Sequence, residues 1–296
     1  MKVTQEFTFG FNRESNKKIR NETARELYDW RRKIKKYRTG ETILSEDFYR
    51  MDENDPLYFS ISDFAKSFPD EIELKIYSQT AQWEKEEDRQ AVAYIPNFIN
   101  HWCEEYEDVS FDYHWCHYCN ANIKRENKKI YIRPKGLVKK KAGEYGVLKV
   151  DDGYDRYMVM PKLFEALIME GIPEQYFQPA YSKNKKILAY ELVNGNILPE
   201  NAYIDELYRR RFQCPMCGSI HYEEKRGIYH YTKKMITKEA YEELQALNET
   251  KEYYDCQRQM MVNKKFYEIV KKYVPDALFF PVYLQDDDFR ESLSGI

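Results

Sequence analysis

Four of the chain's six cysteines stand as two Cys-x-x-Cys pairs, in CHYCN at 116–120 and CPMCG at 214–218. Two sulfurs at this spacing grip one metal ion when the chain turns back sharply after the second, so each pair predicts a knuckle at the tip of a β-hairpin. The turn needs a residue that tolerates a left-handed backbone. Gly218 supplies it directly, and Asn120, at the same place in the first pair, is the next most tolerant residue type. Together Cys116, Cys119, Cys214 and Cys217 form a closed tetrahedral set for one Zn2+, with no coordination position left for water or substrate. The pairs are 94 residues apart, so the fold itself must bring them together.

Two ligand arrangements satisfy these spacings. Each pair can hold its own ion, with His114 and His117 completing the first and His221 and His230 the second, or both pairs can share one ion. The histidines do not fall at matching positions, which favours the shared site and leaves His114 and His117 flanking it. A thiol oxidoreductase would need the first cysteine at a helix N-terminus, where the dipole lowers its pKa; here both motifs run into hairpin patterns. The cysteine usage suits metal binding in a reducing compartment better than a disulfide framework. Cys256 is expected to be inert and Cys103 to pack as a small apolar group.

Laying the second pair under the first, 98 positions on, sets CHYCNANIKRENKKIYI beneath CPMCGSIHYEEKRGIYH, with Glu126 on Glu224, Ile130 on Ile228 and Tyr131 on Tyr229. Further along, MVMPKLFEAL from Met158 matches MVNKKFYEIV from Met261, and IPEQYFQPAY from Ile172 matches VPDALFFPVY from Val274. Ordered matches at a nearly constant offset point to an internal duplication. The expected fold class is α+β: a duplicated zinc-ribbon-like unit of knuckle, β-hairpin, strand, helix and strand. Its copies span about residues 111–181 and 209–285 of a domain at 111–296, behind an N-terminal α+β region at 1–110.

Helices are expected where Leu163, Phe164, Leu167 and Ile168 follow Pro161, and where Phe266, Tyr267 and Val270 follow a capping Asn263. Thr237 is expected to cap another that buries Ala240, Tyr241, Leu244 and Leu247. ILAYELVNGNIL reads as two strands around an Asn194-Gly195 turn. In the N-terminal region, Asn21 is expected to cap a helix reaching Arg38 and stopped by Gly40, and EIELKIY alternates like a strand. PNFINHWCEEY puts Phe98, Ile99, Trp102, Cys103 and Tyr106 on one face of a helix.

No Gly-rich phosphate loop, HExxH helix or nucleophile elbow occurs, and DDGYD at Asp151 lacks the spacing of a calcium loop. No catalytic residue is assigned, and a non-enzymatic role is expected. With 47 basic and 50 acidic side chains, net charge −3, no global field draws the molecule onto nucleic acid or an anionic membrane. Nucleic-acid binding through a zinc ribbon stays as the alternative, carried by RRKIKKYR and KRENKKIYIRPKGLVKKK; each also reads as a solvated helix face or an exposed loop. No apolar run has the length of a membrane span or signal peptide, so a cytoplasmic location is expected. Twenty-seven tyrosines suit protein interfaces as well as a core. The acidic tail LQDDDFRESLSGI suits a basic partner and solvated disorder equally well.

The knuckles CHYCN and CPMCG, each opening a stretch that closes on Phe-x-Pro, resemble the bacterial double-CXXCG motif family over about residues 111–285. The resemblance implies an immunity protein that binds and neutralises a cognate protein toxin. Residue by residue it carries over the metal set Cys116, Cys119, Cys214 and Cys217. The chain departs from the family pattern in two ways: Asn120 stands where Gly is expected, and about 110 residues precede the first knuckle.

Overall fold

Strand-forming segments dominate the computed structural model of this chain, which describes residues 2–12, 19–43, 46–82, 89–98, 102–105, 113–125, 130–133, 144–150, 156–193, 195–225, 232–254 and 257–285. The fold is mixed α+β, with five α-helices among the described residues. It divides into one unit of Met1–Arg89 with Lys225–Thr232 and another of Gln90–Glu224 with Lys233–Ile296.

In the first unit, strand Lys2–Phe11 is followed by helix Asn21–Ile34, strands Arg38–Ile43 and Glu46–Asp52, helix Pro56–Ser67 and strand Ile72–Gln82. Both outer strands and the hairpin partner pair antiparallel, giving the order Arg38–Ile43, Glu46–Asp52, Lys2–Phe11, Ile72–Gln82, a split-βαβ topology. Phe7, Phe9, Tyr49, Met51, Ile72 and Leu74 from the sheet meet Leu27, Ile34, Tyr58 and Ile61 from the helices in one core. The strand expected in EIELKIY is present.

The first helix begins at Asn21 but ends at Ile34, short of Arg38. A 3-10 turn at Lys35–Tyr37 leads into a strand in which Arg38 pairs with Tyr49, so Gly40 lies within a strand and does not terminate the helix. Asn21 is not the cap either. Arg20 holds that position, and its backbone N–H and Nε donate to Glu71 at 2.9 and 2.7 Å. A carboxylate just before the strand Ile72–Gln82 thus supplies the negative charge that a helix N-terminus favours.

Besides the two-stranded hairpin of Tyr113–Trp115 with Asn122–Arg125, the described residues of the second unit form two larger β systems. One is a closed barrel in the order Val147–Val150, Arg156–Val159, Ile187–Leu192, Phe177–Tyr181, Ile130–Arg133, Trp102–Glu105. The other is a nine-stranded sheet in the order Tyr203–Asp205, Lys234–Ile236, Phe279–Leu284, Ala93–Pro96, Gln257–Asn263, Leu247–Tyr254, Ile220–Glu224, Tyr208–Gln213, with Asn196–Ile197 beside Leu247–Tyr254.

One pairing scheme recurs in both. Val159 and Pro179 each pair with Tyr190, as Val262 and Pro281 each pair with Tyr94. Tyr190 stacks on Phe164 at 3.7 Å and Tyr94 on Tyr267 at 3.7 Å, while Phe164 and Tyr267 meet Phe177 and Phe279 edge-on at 5.1 and 5.2 Å. These correspondences reveal an exchange. Ala93–Pro96 precedes the first knuckle yet pairs with strands that follow the second, and Ile187–Leu192 precedes the second knuckle yet pairs with strands that follow the first. Residues before the first knuckle thus complete the large sheet, and residues before the second complete the barrel. Between the sheets, Leu163 and Leu167 from helix Pro161–Met169 and Phe266 and Val270 from helix Lys264–Tyr273 join one core.

The helix starts follow expectation: Pro161 opens one, and Asn263 accepts from the Phe266 N–H at 3.0 Å to cap the other. Several other expectations are corrected. Pro96 and Trp102–Glu105 of PNFINHWCEEY are not helical, because Pro96 pairs with Phe279 and Cys103 with Val150, and sheet pairing overrides the helical periodicity; Ile99 and Tyr106 lie outside the described residues. Thr237 caps a helix of only Lys238–Glu242, since Leu247 is drawn into a strand opposite Val262. ILAYELVNGNIL forms no hairpin: Ile187–Leu192 lies in the barrel, and Asn196–Ile197 runs parallel to Leu247–Tyr254. Gly195 permits that approach, because a Cβ there would sit 3.0 Å from the Asn248 carbonyl carbon. In the parallel pairings with the closing strands, Ile130 faces Ala180 and Lys234 faces Val282. Ile228, Tyr229, His230, Cys256, Asn194, DDGYD and the acidic tail after Gln285 lie outside the described residues.

Candidate metal centre

Each knuckle sits between paired strands, Tyr113–Trp115 with Asn122–Arg125 and Tyr208–Gln213 with Ile220–Glu224. The two loops close with the same hydrogen bonds. Asn120 N–H donates to Cys116 C=O at 2.8 Å and Gly218 N–H to Cys214 C=O at 2.9 Å. Cys116 N–H donates to Ala121 C=O at 2.9 Å and Cys214 N–H to Ser219 C=O at 2.8 Å. Asn120 and Gly218 adopt φ of 57° and 74°, the left-handed backbone expected of both.

The fold closes the sequence gap completely. All four sulfurs lie within 4.8 Å of one another, with Cys116 and Cys214, and likewise Cys119 and Cys217, 3.6 Å apart. Ligands about 2.3 Å from a tetrahedral ion are about 3.8 Å from each other, so this set needs little movement to hold one. All four are free thiols. The inner pair is buried and the outer pair half-buried, which seals the centre on the protein side.

Charge makes the same argument. The backbone N–H groups of Cys119 and Tyr118 stabilise the Cys116 thiolate and lower its pKa. Burial, reinforced by the neighbouring thiols, pushes Cys119 up to about 12. Burial also works against Cys217, but Ser219 and the adjacent thiols outweigh it and bring that group down to about 6. Four sulfurs this close repel one another as thiolates, and a divalent cation removes the conflict.

Among the described side chains, neither His117 nor His221 joins the set. His117 is exposed, and His114 belongs to a strand opposite Lys124. His221 is buried in an aromatic ladder across neighbouring strands, 4.8 Å from the Phe212 ring and 5.4 Å from the Tyr253 ring. Arg211 lies over Phe212 and Arg258 over Tyr253, extending the ladder at both ends. Tyr253 and Phe212 pack with Cys116, Ala121 and Cys214, so the ladder is the floor on which the knuckles meet. Sequence reasoning missed it because Phe212, His221 and Tyr253 become neighbours only through strand pairing.

No family model matches the chain, and no curated protein or solved structure matches it.

Proposed function

We propose that the chain is a non-enzymatic zinc protein of the immunity or antitoxin class, which binds a cognate bacterial protein toxin in the cytoplasm and neutralises it. The carrying observation is the closed set of Cys116, Cys119, Cys214 and Cys217. Four sulfurs around one zinc leave no open coordination position, so the metal acts on shape and not on substrate. All-thiolate tetrahedral coordination favours zinc over harder cations.

The matched pairings on either side of the knuckles support a duplicated zinc-ribbon-like unit. The likeness of CHYCN and CPMCG to the double-CXXCG family supports a toxin as partner. A rigid framework with exposed apolar tips is suited to the work, because affinity grows when a binding surface is already ordered. Tyr118 and Met216, at equivalent positions of the two knuckles, are 64% and 76% exposed.

Co-expression with a toxin encoded beside this chain tests the reading. Restored growth and a co-purifying complex are expected; a chain that neither rescues nor binds refutes it.

A further inference from the structure

The strand Tyr208–Gln213 ends its sheet. Ile220–Glu224 pairs with one side, and among the described residues no strand pairs with the other. Its sequence, YRRRFQ, places three exposed arginines in a row. Glu223 is shared by two of them, at 2.9 Å from Arg209 and 3.3 Å from Arg211, and both guanidinium groups remain more than half exposed. Arg210 is exposed on the opposite face, beside Tyr222. The strand then runs directly into Cys214, so its end arrives at the knuckle tips that carry Met216 and Tyr118.

We propose that this edge docks an extended acidic segment of a partner protein as an additional strand of the sheet, with an apolar side chain at the segment's end seated against Tyr118 and Met216. The inference rests on the reading that the chain works by binding another protein. The edge at Arg209–Gln213, which has no partner strand among the described residues, offers alternating N–H and C=O groups that only another peptide backbone satisfies in register. Charge selects the sequence of that backbone. A second copy of the same strand would bring arginine against arginine, whereas carboxylates meet opposite charge on both faces. Nucleic acid fits less well, since it has no peptide backbone to satisfy the edge. The twin tips supply desolvatable apolar contact where the charged strand ends, the arrangement of an anchor within a polar rim.

The test uses the zinc-loaded full chain and a fluorescein-labelled peptide of alternating Glu and Val ending in Trp. Saturable, salt-sensitive binding is expected, weakened about tenfold by R209E/R211E, as expected from losing two exposed charge pairs. Amide exchange at Arg209–Gln213 in the wild-type chain should slow on adding peptide, a readout that remains valid if the variant fails to fold. The proposal is overturned by no saturable binding, by equal binding of a Lys-Val peptide, or by binding with unchanged exchange in this strand. Tighter binding of a single-stranded oligonucleotide with the same arginine dependence overturns it as well. The assay contains no toxin, so its failure removes the edge proposal alone, and a failed growth rescue removes the immunity reading alone.

Discussion

Arg156 and Glu191 form an ion pair inside the barrel, 4.0 Å apart with 7% and 0% side-chain exposure. The matched pairings supply a natural comparison. Glu191 pairs with Gln178 in the barrel, and Ile95 pairs with Phe280 at the corresponding place in the large sheet. One half buries charge where the other buries hydrocarbon. Removing one member of a buried pair costs about 3–5 kcal/mol, while replacing both with apolar groups is about neutral or stabilising. Glu191→Ile and Arg156→Met should each destabilise by that amount, giving about 6–10 kcal/mol if the effects were independent. The double variant should instead fall within about 1 kcal/mol of wild type or above it. Urea unfolding followed by fluorescence and by cysteine reactivity measures the cycle. A double variant as unstable as the sum of the singles would show that the two halves do not share an interchangeable interior.

Three further expectations are simpler. Gly218→Ala should destabilise the second knuckle by about 1–2 kcal/mol from backbone conformation alone, because an added Cβ meets nothing within 4 Å; Asn120→Gly should be neutral or slightly stabilising, and melting curves compare them. Asp55 caps helix Pro56–Ser67 by accepting from the Leu57 N–H, and the Tyr37 hydroxyl, then that N–H, lower its pKa. A lowered carboxylate pKa contributes stability above the unfolded value of 3.8, lost as pH falls through the folded value. Asp55→Ala should therefore cost about 1 kcal/mol at neutral pH and progressively less in acid below that value, measured by urea titrations at each pH.

The cysteine set, the left-handed turns and the Pro161 and Asn263 helix starts were legible because each depends on a few neighbouring residues. The exchange of leading strands was not. Its trace is the Ala-Tyr pair that both segments contain, Ala93-Tyr94 and Ala189-Tyr190, too short to stand out among so many tyrosines. The helical periodicity of Phe98, Trp102 and Cys103 was a real pattern, but long-range pairing to Val150 claimed the segment for a strand. The buried histidine ladder likewise depends on registers that no local stretch encodes.

The exchange also changes what a metal has to do. Were the two halves separate lobes, the ion would be their clasp; but each already holds a strand of the other, and they share a helical core. The element that an ion would stabilise most is the first hairpin. Among the described residues, Tyr113–Trp115 and Asn122–Arg125 pair only with each other, and an isolated two-stranded hairpin is marginal in water. Ala121 and Cys116 pack on Tyr253, and four sulfur–metal bonds would secure that contact. Chelation, or Cys214→Ser, should therefore raise amide exchange across residues 113–125 while leaving Gln257–Asn263 and helix Lys264–Tyr273 protected. Tyr118 would lose its fixed position with the hairpin, so partner binding should weaken before the fold does. Global loss of protection on removing the metal would show that interlocking is too weak to hold the halves, and that the ion is the clasp after all.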